Sequence, residues 1–279
     1  MINWFPGHMN KTLKQMQTDA RICECFVYVL DARCPTSCIN PEFVKIVKNK
    51  PIIFVLNKAD LVEKTDIDKA KKHFNLLGFE CLSMNSTVSG NAKSIVLAIK
   101  KLFASRIMDN ERKGVNFIIR AMVLGVPNSG KSTIVNNLCG KSRAVTGNRA
   151  GVTKNKQWLK VDSNIEIMDT PGVLLPSFED ESVAYNLAFV GSVKDEVVNL
   201  TDVVCHLISK LYDINVEILQ SKYGVNNSIN TQPIEILTEI GKKRGCIIKG
   251  GEVDLDRASR LLLTDFRSGK LGKICLERL

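Results

Sequence analysis

Residues 125–133 read GVPNSGKST, a stretch of the form G-x-x-x-x-G-K-[ST]. An apolar run ends at Leu124 and helical periodicity begins near Lys131, so this stretch is predicted to join a strand to a helix. In that context the pattern is typical of a loop that holds phosphate groups with backbone N–H groups and the positive end of a helix. The predicted phosphate contacts are Asn128, Ser129, Gly130, Lys131, Ser132 and Thr133.

Within this loop the charged and hydroxyl side chains have distinct predicted roles. Lys131 is placed to bridge the β- and γ-phosphates of a nucleoside triphosphate, and the Ser132 hydroxyl to ligate Mg²⁺. Downstream, IEIMDTPG (165–172) places Asp169 at the end of a short apolar strand, where a carboxylate can hold Mg²⁺ through water. The N–H of Gly172 is expected to meet the γ-phosphate, and Thr153 is a second candidate hydroxyl for Mg²⁺, although it can also be read as a turn residue.

A third segment, FVLNKAD (54–60), predicts which base is bound. The Asp60 carboxylate can accept both N1–H and the 2-amino group of guanine, whereas adenine would leave it unpaired. The stem of Lys58 can cover the face of the base, and Asn57 can tie this segment to the phosphate loop. The tetrapeptide is weak evidence alone and strong evidence behind an apolar strand in a chain with a phosphate loop.

Alternating strands and helices predict an α/β fold with a parallel sheet. Continuous apolar runs are typical of strands buried on both faces, and helical periodicity separates them. The predicted strands are 25–30, 51–56, 79–84 and 117–124, and the predicted helices lie near 9–20, 42–48, 66–77 and 91–105.

The pattern of apolar residues changes after Asp169. Residues 181–279 show helix-length apolar periodicity, as in VVNLTDVVCHLISKLY, without a comparable series of strands. We therefore expect two domains, an α/β domain over 1–176 and a smaller, mainly helical domain over 177–279.

The charge distribution is compatible with a protein that binds a polyanion. The chain has 279 residues and a formal net charge of +10, and the excess is carried by residues 1–180. Residues 141–160 hold six basic side chains and no acidic one. Such a tract fits a nucleic-acid partner, but a solvated basic surface is equally compatible with it. Without an apolar run of transmembrane length, and with cysteines at spacings that favour reduced structural thiols, we expect a cytoplasmic protein.

Together the segments resemble a translation-factor-type GTPase whose motifs are circularly permuted. The usual order is phosphate loop, switch threonine, D-x-x-G, N-K-x-D and a short last loop, whereas here N-K-A-D (57–60) comes first. The candidate last loop is SMNS (83–86), so Ser83 and Asn85 join the predicted base contacts. The first 124 residues are thus predicted to contain the guanine-reading half of the same sheet.

The match is closer to one family. The chain resembles the YlqF/RbgA family of bacterial ribosome-biogenesis GTPases over essentially its whole length. The segments that carry the resemblance are NWFPGHM (3–9), DARCPTSCINP (31–41), NKAD (57–60), GVPNSGKST (125–133), DTPG (169–172) and GKKRGC (241–246).

This resemblance implies a function in assembling the large ribosomal subunit. A member of the family is expected to bind GTP and GDP with Mg²⁺, to hydrolyse GTP when it is on the particle, and to contact rRNA and ribosomal proteins rather than DNA or membrane. The helical domain is expected to contact RNA or the ribosome. Potassium is a further expectation, because an Asn at the position of Asn128 helps coordinate a monovalent cation in potassium-stimulated GTPases. Asn128 can alternatively serve to shape the turn after Pro127.

Hydrolysis departs from the familiar GTPase pattern. The position after D-x-x-G commonly carries a water-orienting Gln, but Val173 and Leu174 stand here and an apolar side chain cannot position water. Turnover by the free protein is therefore expected to be slow. The resemblance implies that His8 supplies the missing group, and the alternative is that His8 makes a structural hydrogen bond where the N-terminus docks.

Two other function classes compete with this interpretation. An RNA-binding scaffold that holds GTP with negligible turnover is compatible with Val173. A P-loop nucleotide kinase is disfavoured, because N-K-A-D would have no purpose and a second nucleoside pocket has no signature in the sequence.

Overall fold

The computed structural model describes residues 8–48, 50–140, 158–174, 180–225 and 231–279, with the backbone alone for residues 8–10. Thr153 and most of the basic tract at 141–160 lie outside these ranges. So does the predicted domain boundary at 176/177, and the division into two domains stays a prediction.

Within the described ranges, six strands form one sheet, and its order places strands from the first and the second half of the chain side by side. The order is β3-β2-β1-β4-β6-β5, with every neighbouring pair parallel except β5 and β6. The first 124 residues thus supply β1 to β4 of the sheet. The strands are β1 (Cys25–Asp31), β2 (Ile52–Asn57), β3 (Glu80–Met84), β4 (Ile119–Leu124), β5 (Trp158–Asp162) and β6 (Ile165–Met168).

One edge strand, β5, is antiparallel in a sheet that is otherwise parallel, as predicted. β5 is followed by Ser163 and Asn164 and then directly by β6. A connection of two residues can join antiparallel strands, whereas parallel strands need a crossover of about a dozen residues or more. The polar Lys160 and Asp162 interrupt the apolar pattern in β5, so the sequence did not mark it as a strand.

Helices cover both faces of the sheet. The predicted helix 91–105 is instead two helices that meet at Phe103, where the backbone has φ −110° and ψ 15°. The second one has no buried side chain, so it lacks the apolar stripe by which helices are predicted. The helices of this part are α1 (His8–Ala20), α2 (Pro41–Val47), α3 (Lys64–Leu76), α4 (Lys93–Leu102), α5 (Ala104–Arg112) and α6 (Lys131–Cys139).

Alternate residues of the central strand face two separate apolar layers. Cys25, Val27 and Val29 of β1 face the layer that includes α4 and α6. Phe26, Tyr28 and Leu30 face the opposite layer. Fully burying one such aliphatic or aromatic side chain contributes about 1.5–3 kcal/mol to the stability of the fold. The two layers therefore hold the strands firmly, and with them the loops at the ends of the strands.

In the part of the chain that the structure describes, five further α-helices follow the sheet, and their apolar faces join the layer that contains Phe26 and Tyr28. They surround α8, whose buried residues include Val204, Leu207 and Leu211. A bridge between Ile247 and Val253 adds an isolated β contact. These helices are α7 (Glu181–Phe189), α8 (Leu200–Ile214), α9 (Glu217–Tyr223), α10 (Pro233–Lys243) and α11 (Leu255–Arg267). Within the described ranges, no helix combines the length and apolarity that crossing a membrane requires.

Candidate functional site

The phosphate loop lies between β4 and α6, and two glycines allow it to pass very close to other groups. Gly125 has φ +148°, and a Cβ there would lie 2.4 Å from the carbonyl oxygen of Val29. Gly130 has φ +97°, and a Cβ there would lie 2.1 Å from the side-chain nitrogen of Asn57. Any other residue at these positions would force the loop away from β1 and β2.

Lys131 is buried at the start of α6 and folds back over its own loop. Its Nζ donates to the carbonyl oxygens of Gly125 at 3.0 Å and Val126 at 2.7 Å. Burial lowers the pKa of Lys131 to about 8, although the nearby Asp169 carboxylate acts in the opposite direction. The ammonium group is thus held where the loop, rather than solvent, supplies its hydrogen-bond acceptors.

The segment after β6 closes the other side of this loop. The Ser132 hydroxyl donates to a carboxylate oxygen of Asp169 at 2.6 Å, and Asp169 is itself buried. A Cβ at Gly172 would lie 2.6 Å from the Cα of Pro127 and 3.0 Å from Nζ of Lys131. The structure therefore brings Lys131, Ser132, Asp169 and Gly172 together. A hydroxyl and a carboxylate side by side are oxygen donors of the kind that Mg²⁺ prefers, so these residues fit that ion.

The N-K-A-D segment meets the phosphate loop through Asn57. Its side chain is 1% exposed, and its amide donates to the carbonyl oxygen of Ser129 at 2.8 Å. The amide oxygen of Asn57 accepts from the backbone N–H of Ser86 at 3.0 Å. Asn57 therefore joins three loops, and the tie to the phosphate loop that the sequence predicts is present.

Lys58 and Asp60 follow at the end of β2. Lys58 has a left-handed backbone with φ 59°, and its Nζ lies 2.9 Å from Asp31. Asp60 lies in a short 3₁₀ turn, Ala59–Leu61, and is exposed. The carboxylate predicted to contact the base is thus exposed to solvent, whereas the nearby Asn57 and Asp31 are buried.

The chain is similar to several known GTPases. Residues 120–240 match a family model described as a 50S ribosome-binding GTPase. The chain is 38% identical to ribosome biogenesis GTPase A of Bacillus licheniformis, over 100% of this chain and 98% of that protein. It is 31% identical to the protein of the same name from Thermotoga maritima, over 99% of this chain and 94% of that protein.

The chain belongs to the ribosome biogenesis GTPase A family. The fold agrees: a GDP-bound YlqF structure superposes with a TM-score of 0.66 at 26% identity, covering 95% of this chain and 98% of that one. The GNP-bound YlqF of T. maritima gives a TM-score of 0.65, also at 26% identity, and covers 96% of this chain and 98% of that one. The predicted family and its permuted α/β fold are therefore confirmed.

Several predicted site residues of this family member stay untested by the geometry. His8 is the first residue of α1, but its side chain is not described, and Thr153 lies outside the described ranges. Thr133 is half-buried in the first turn of α6. Asn128 has a left-handed backbone with φ 58°, and its amide donates to the carbonyl oxygen of Gly191 at 2.5 Å. Val173, at the position where GTPases commonly carry a water-orienting Gln, is buried.

In the loop after β3, the contact with Asn57 comes from a residue that the sequence did not single out, and the predicted base contacts of Ser83 and Asn85 stay predictions. Ser83 is half-buried and paired with Leu56 in the sheet. The side chain of Asn85 accepts from Thr87, in a local turn. Ser86, rather than either of them, contacts Asn57 through its backbone. A backbone contact leaves no signature in residue types, which explains why it was missed.

Sequence reasoning also gave no role to the buried pair Asp31 and Arg33 in the family segment DARCPTSCINP. Arg33 donates to both carboxylate oxygens of Asp31, at 2.9 and 2.7 Å, and the same carboxylate holds Lys58. Burial raises the pKa of Asp31, but the charges of Arg33 and Lys58 outweigh it and hold the pKa below its usual value. The position of Asp31 could have indicated this role. It is an acid at the end of β1, and because neighbouring parallel strands end at the same edge of a sheet, it lies beside the N-K-A-D segment at the end of β2.

Proposed function

We propose that this chain binds a guanine nucleotide between the N-K-A-D segment and the phosphate loop, and hydrolyses GTP as an assembly factor for the large ribosomal subunit. The observation that carries the proposal is the hydrogen bond of 2.8 Å from Asn57 to the Ser129 carbonyl. It joins a segment of base-reading chemistry to one of phosphate-binding chemistry across 72 positions of the chain. Family membership supports the same conclusion.

In this proposal each half of the site has a separate task. Asp60 accepts from N1–H and the 2-amino group of guanine, while Lys58, held by Asp31, covers the face of the base. Lys131 contacts the β- and γ-phosphates, and the backbone N–H groups of residues 128–132 and Gly172 surround them. Ser83 and Asn85 are weaker candidates for the base side.

Mg²⁺ would be held by Ser132 and Asp169, with Thr153 as the predicted second hydroxyl. When bound, the ion neutralises phosphate charge. Potassium is proposed at Asn128, because an amide oxygen is a common ligand of hard cations; the amide nitrogen of Asn128 donates to Gly191. Turnover with K⁺ replaced by Na⁺ tests this assignment.

His8 is proposed as the group that orients the attacking water. The burial of Val173 and Leu174 supports the need for such a group, because neither side chain can contact water productively. We expect His8→Ala to slow subunit-stimulated turnover by about tenfold to a hundredfold or more while GTP affinity stays nearly unchanged. An unchanged rate would return His8 to a structural role.

The large ribosomal subunit is proposed as the partner, in the cytoplasm. Basic side chains at the end of α10 and in the following turn support contact with RNA phosphates, since Lys242, Lys243, Arg244 and Lys249 are all exposed. The nucleotide state would then time binding and release, because the segment after Gly172 leads into the helices that carry this surface.

Sedimentation with purified ribosomal subunits tests partner and switch together. The chain is incubated with small or large subunits in GDP, GTP or a non-hydrolysable GTP analogue, and Lys131→Ala serves as the nucleotide-blind control. We expect the unmodified chain to co-sediment with the large subunit, and more of it to do so with the analogue than with GDP. The Lys131→Ala variant should not show this dependence on the nucleotide. Co-sedimentation independent of nucleotide would contradict the proposal.

The alternative of an RNA-binding scaffold with negligible turnover keeps one supporting observation, the buried Val173. Phosphate release measured with and without large subunits separates the two. Stimulated release supports an enzyme, and release at the background rate in both samples supports the scaffold.

A further inference from the structure

Among the described residues, the helical region contacts the phosphate loop at residues 188–192, a turn that includes the C-terminal end of α7. Gly191 has φ +80°, and the N–H groups of Gly191 and Ser192 close the end of α7 on Ala188 and Leu187. The Gly191 carbonyl accepts from the side chain of Asn128, at 2.5 Å. The Ser192 hydroxyl, in a residue that is 1% exposed, donates to the carbonyl of Pro127 at 2.8 Å. The turn therefore supports two consecutive residues of the phosphate loop.

Arg267, the last residue of α11, holds this turn in place. Its guanidinium donates to the carbonyls of Phe189 at 3.0 Å and Ala188 at 2.8 Å. The same group makes a bidentate ion pair with Asp195, at 2.8 and 2.9 Å. A planar fork with four bonds in fixed directions leaves little freedom to the guanidinium or to the turn. A Cβ at Gly191 would lie 3.3 Å from Nε of Arg267, so the side chain lies directly against the turn.

The same end of α11 also contacts the base side of the site. Arg33 lies over the ring of Phe266, with 5.2 Å from its guanidinium carbon to the ring centroid. Nη1 of Arg33 donates to the carbonyl of Arg267 at 3.4 Å, and Arg33 holds the Asp31 carboxylate that holds Lys58. The last two residues of α11 thus touch the supports of both the phosphate loop and the N-K-A-D segment.

We propose that Arg267 is a positioning residue for nucleotide binding, acting through the turn 188–192 on Pro127 and Asn128. Asn128 has the left-handed backbone that non-glycine residues adopt reluctantly, so its geometry depends on the bonds that hold it. Removing Arg267 frees the turn and lets the phosphate loop lose the arrangement of its N–H groups. By linkage, the nucleotide and the helical region influence each other through this contact. The inference rests on the proposed function.

The test compares GDP affinity among matched variants in the full chain. Arg267→Ala is expected to weaken binding of a fluorescent GDP by about tenfold. Arg260→Ala is the control, because Arg260 lies on the same helix and forms an exposed ion pair with Asp256. Its affinity should equal that of the unmodified chain. Equal affinity of Arg267→Ala and Arg260→Ala would overturn the inference.

A second measurement separates positioning from a general loss of stability. Asn128→Gly removes the side chain that the turn holds and tolerates the left-handed backbone. In that background, Arg267→Ala should weaken GDP binding by less than about threefold, because only the bond from Ser192 to Pro127 still links the turn to the phosphate loop. A tenfold loss in both backgrounds would show that Arg267 acts on the whole fold and would overturn the proposal.

Ser192→Ala keeps the test decisive if Arg267→Ala does not fold. It deletes the bond to Pro127 with minimal change in volume, and we expect about threefold weaker GDP binding. Unchanged affinity would overturn the inference. If the unmodified chain itself failed to bind GDP, the proposed function would fail, and that outcome is distinct from an Arg267 variant that binds as well as the unmodified chain.

Discussion

The phosphate loop and the N-K-A-D segment differ in what their functional groups do in the protein itself. Lys131 is buried and bonded to carbonyls of its own loop, and Ser132 is bonded to Asp169. Asp60, by contrast, is exposed, although Asn57, three residues earlier in the same segment, is buried. In the proposed function, Lys131 and Ser132 would give up these internal bonds when a nucleotide binds, whereas Asp60 would pair with the base from an exposed position.

This difference teaches that affinity and selectivity are separable here. Changes in the phosphate loop should reduce binding of every nucleotide, and changes at Asp60 should alter which base is preferred. The Asn57 amide, which serves both sides, should affect both.

The largest effect is expected from Lys131→Ala. Loss of a charge-assisted contact to the phosphates should weaken GTP binding by about a hundredfold. Lys93→Ala is the matched control, because Lys93 is also the first residue of its helix but is exposed. Affinities come from titration calorimetry. If Lys131→Ala bound GTP as tightly as Lys93→Ala, the assignment of the phosphate loop would be wrong.

The next effect is a change of preference in Asp60→Asn. An amide can donate to the 2-carbonyl of xanthine and no longer pairs with both guanine N–H groups. We expect a shift of about tenfold to a hundredfold from GTP toward XTP. Competition between the two nucleotides measures it, and Asp68→Asn, an exposed acid on α3, is the control. An unaltered GTP preference would remove Asp60 from the base pocket.

A smaller effect, on stability and on nucleotide affinity, is expected from Asn57→Ala. The change leaves the Ser129 carbonyl and the Ser86 N–H without their partner, which costs about 1–3 kcal/mol of stability. GTP and GDP affinity should fall together, by roughly tenfold. Thermal unfolding and nucleotide titration are compared with Asn75→Ala, a change at an exposed position on α3. A normal melting temperature with normal affinity would show that the two loops do not depend on this bond.

The smallest effect concerns pH. Burial lowers the pKa of Lys131 from 10.5 to about 8, so the unfolded chain holds one more proton between these values and stability rises with pH across this window. A bound triphosphate favours the charged form, so binding takes up a proton above pH 8, and affinity should fall by about fourfold between pH 7 and pH 8.5. Calorimetry at pH 8.5 in buffers of different ionisation heat detects the uptake. Equal heats in the two buffers would show that Lys131 keeps its charge throughout.

How much the sequence could predict depends on whether a residue acts by its type or by its place in the fold. The strands β1, β2 and β4 are continuous apolar runs, and Asn57, Lys131 and Asp169 stand at the ends of strands or starts of helices, so patterns located them. α5 and β5 lack such runs and were missed. The Ser86 contact uses backbone atoms, and Arg267 reaches its turn across 78 positions, so neither has a local signature.

The strand order has a consequence for how the chain is made. β1, β2 and β3 are neighbours in the sheet and successive in the sequence, so contacts among them can form before β4 has been synthesised. The β4 strand then joins the exposed side of β1, and β6 follows. The order of synthesis therefore favours the three-stranded sheet of β1, β2 and β3 as the part that assembles first and to which the later strands are added.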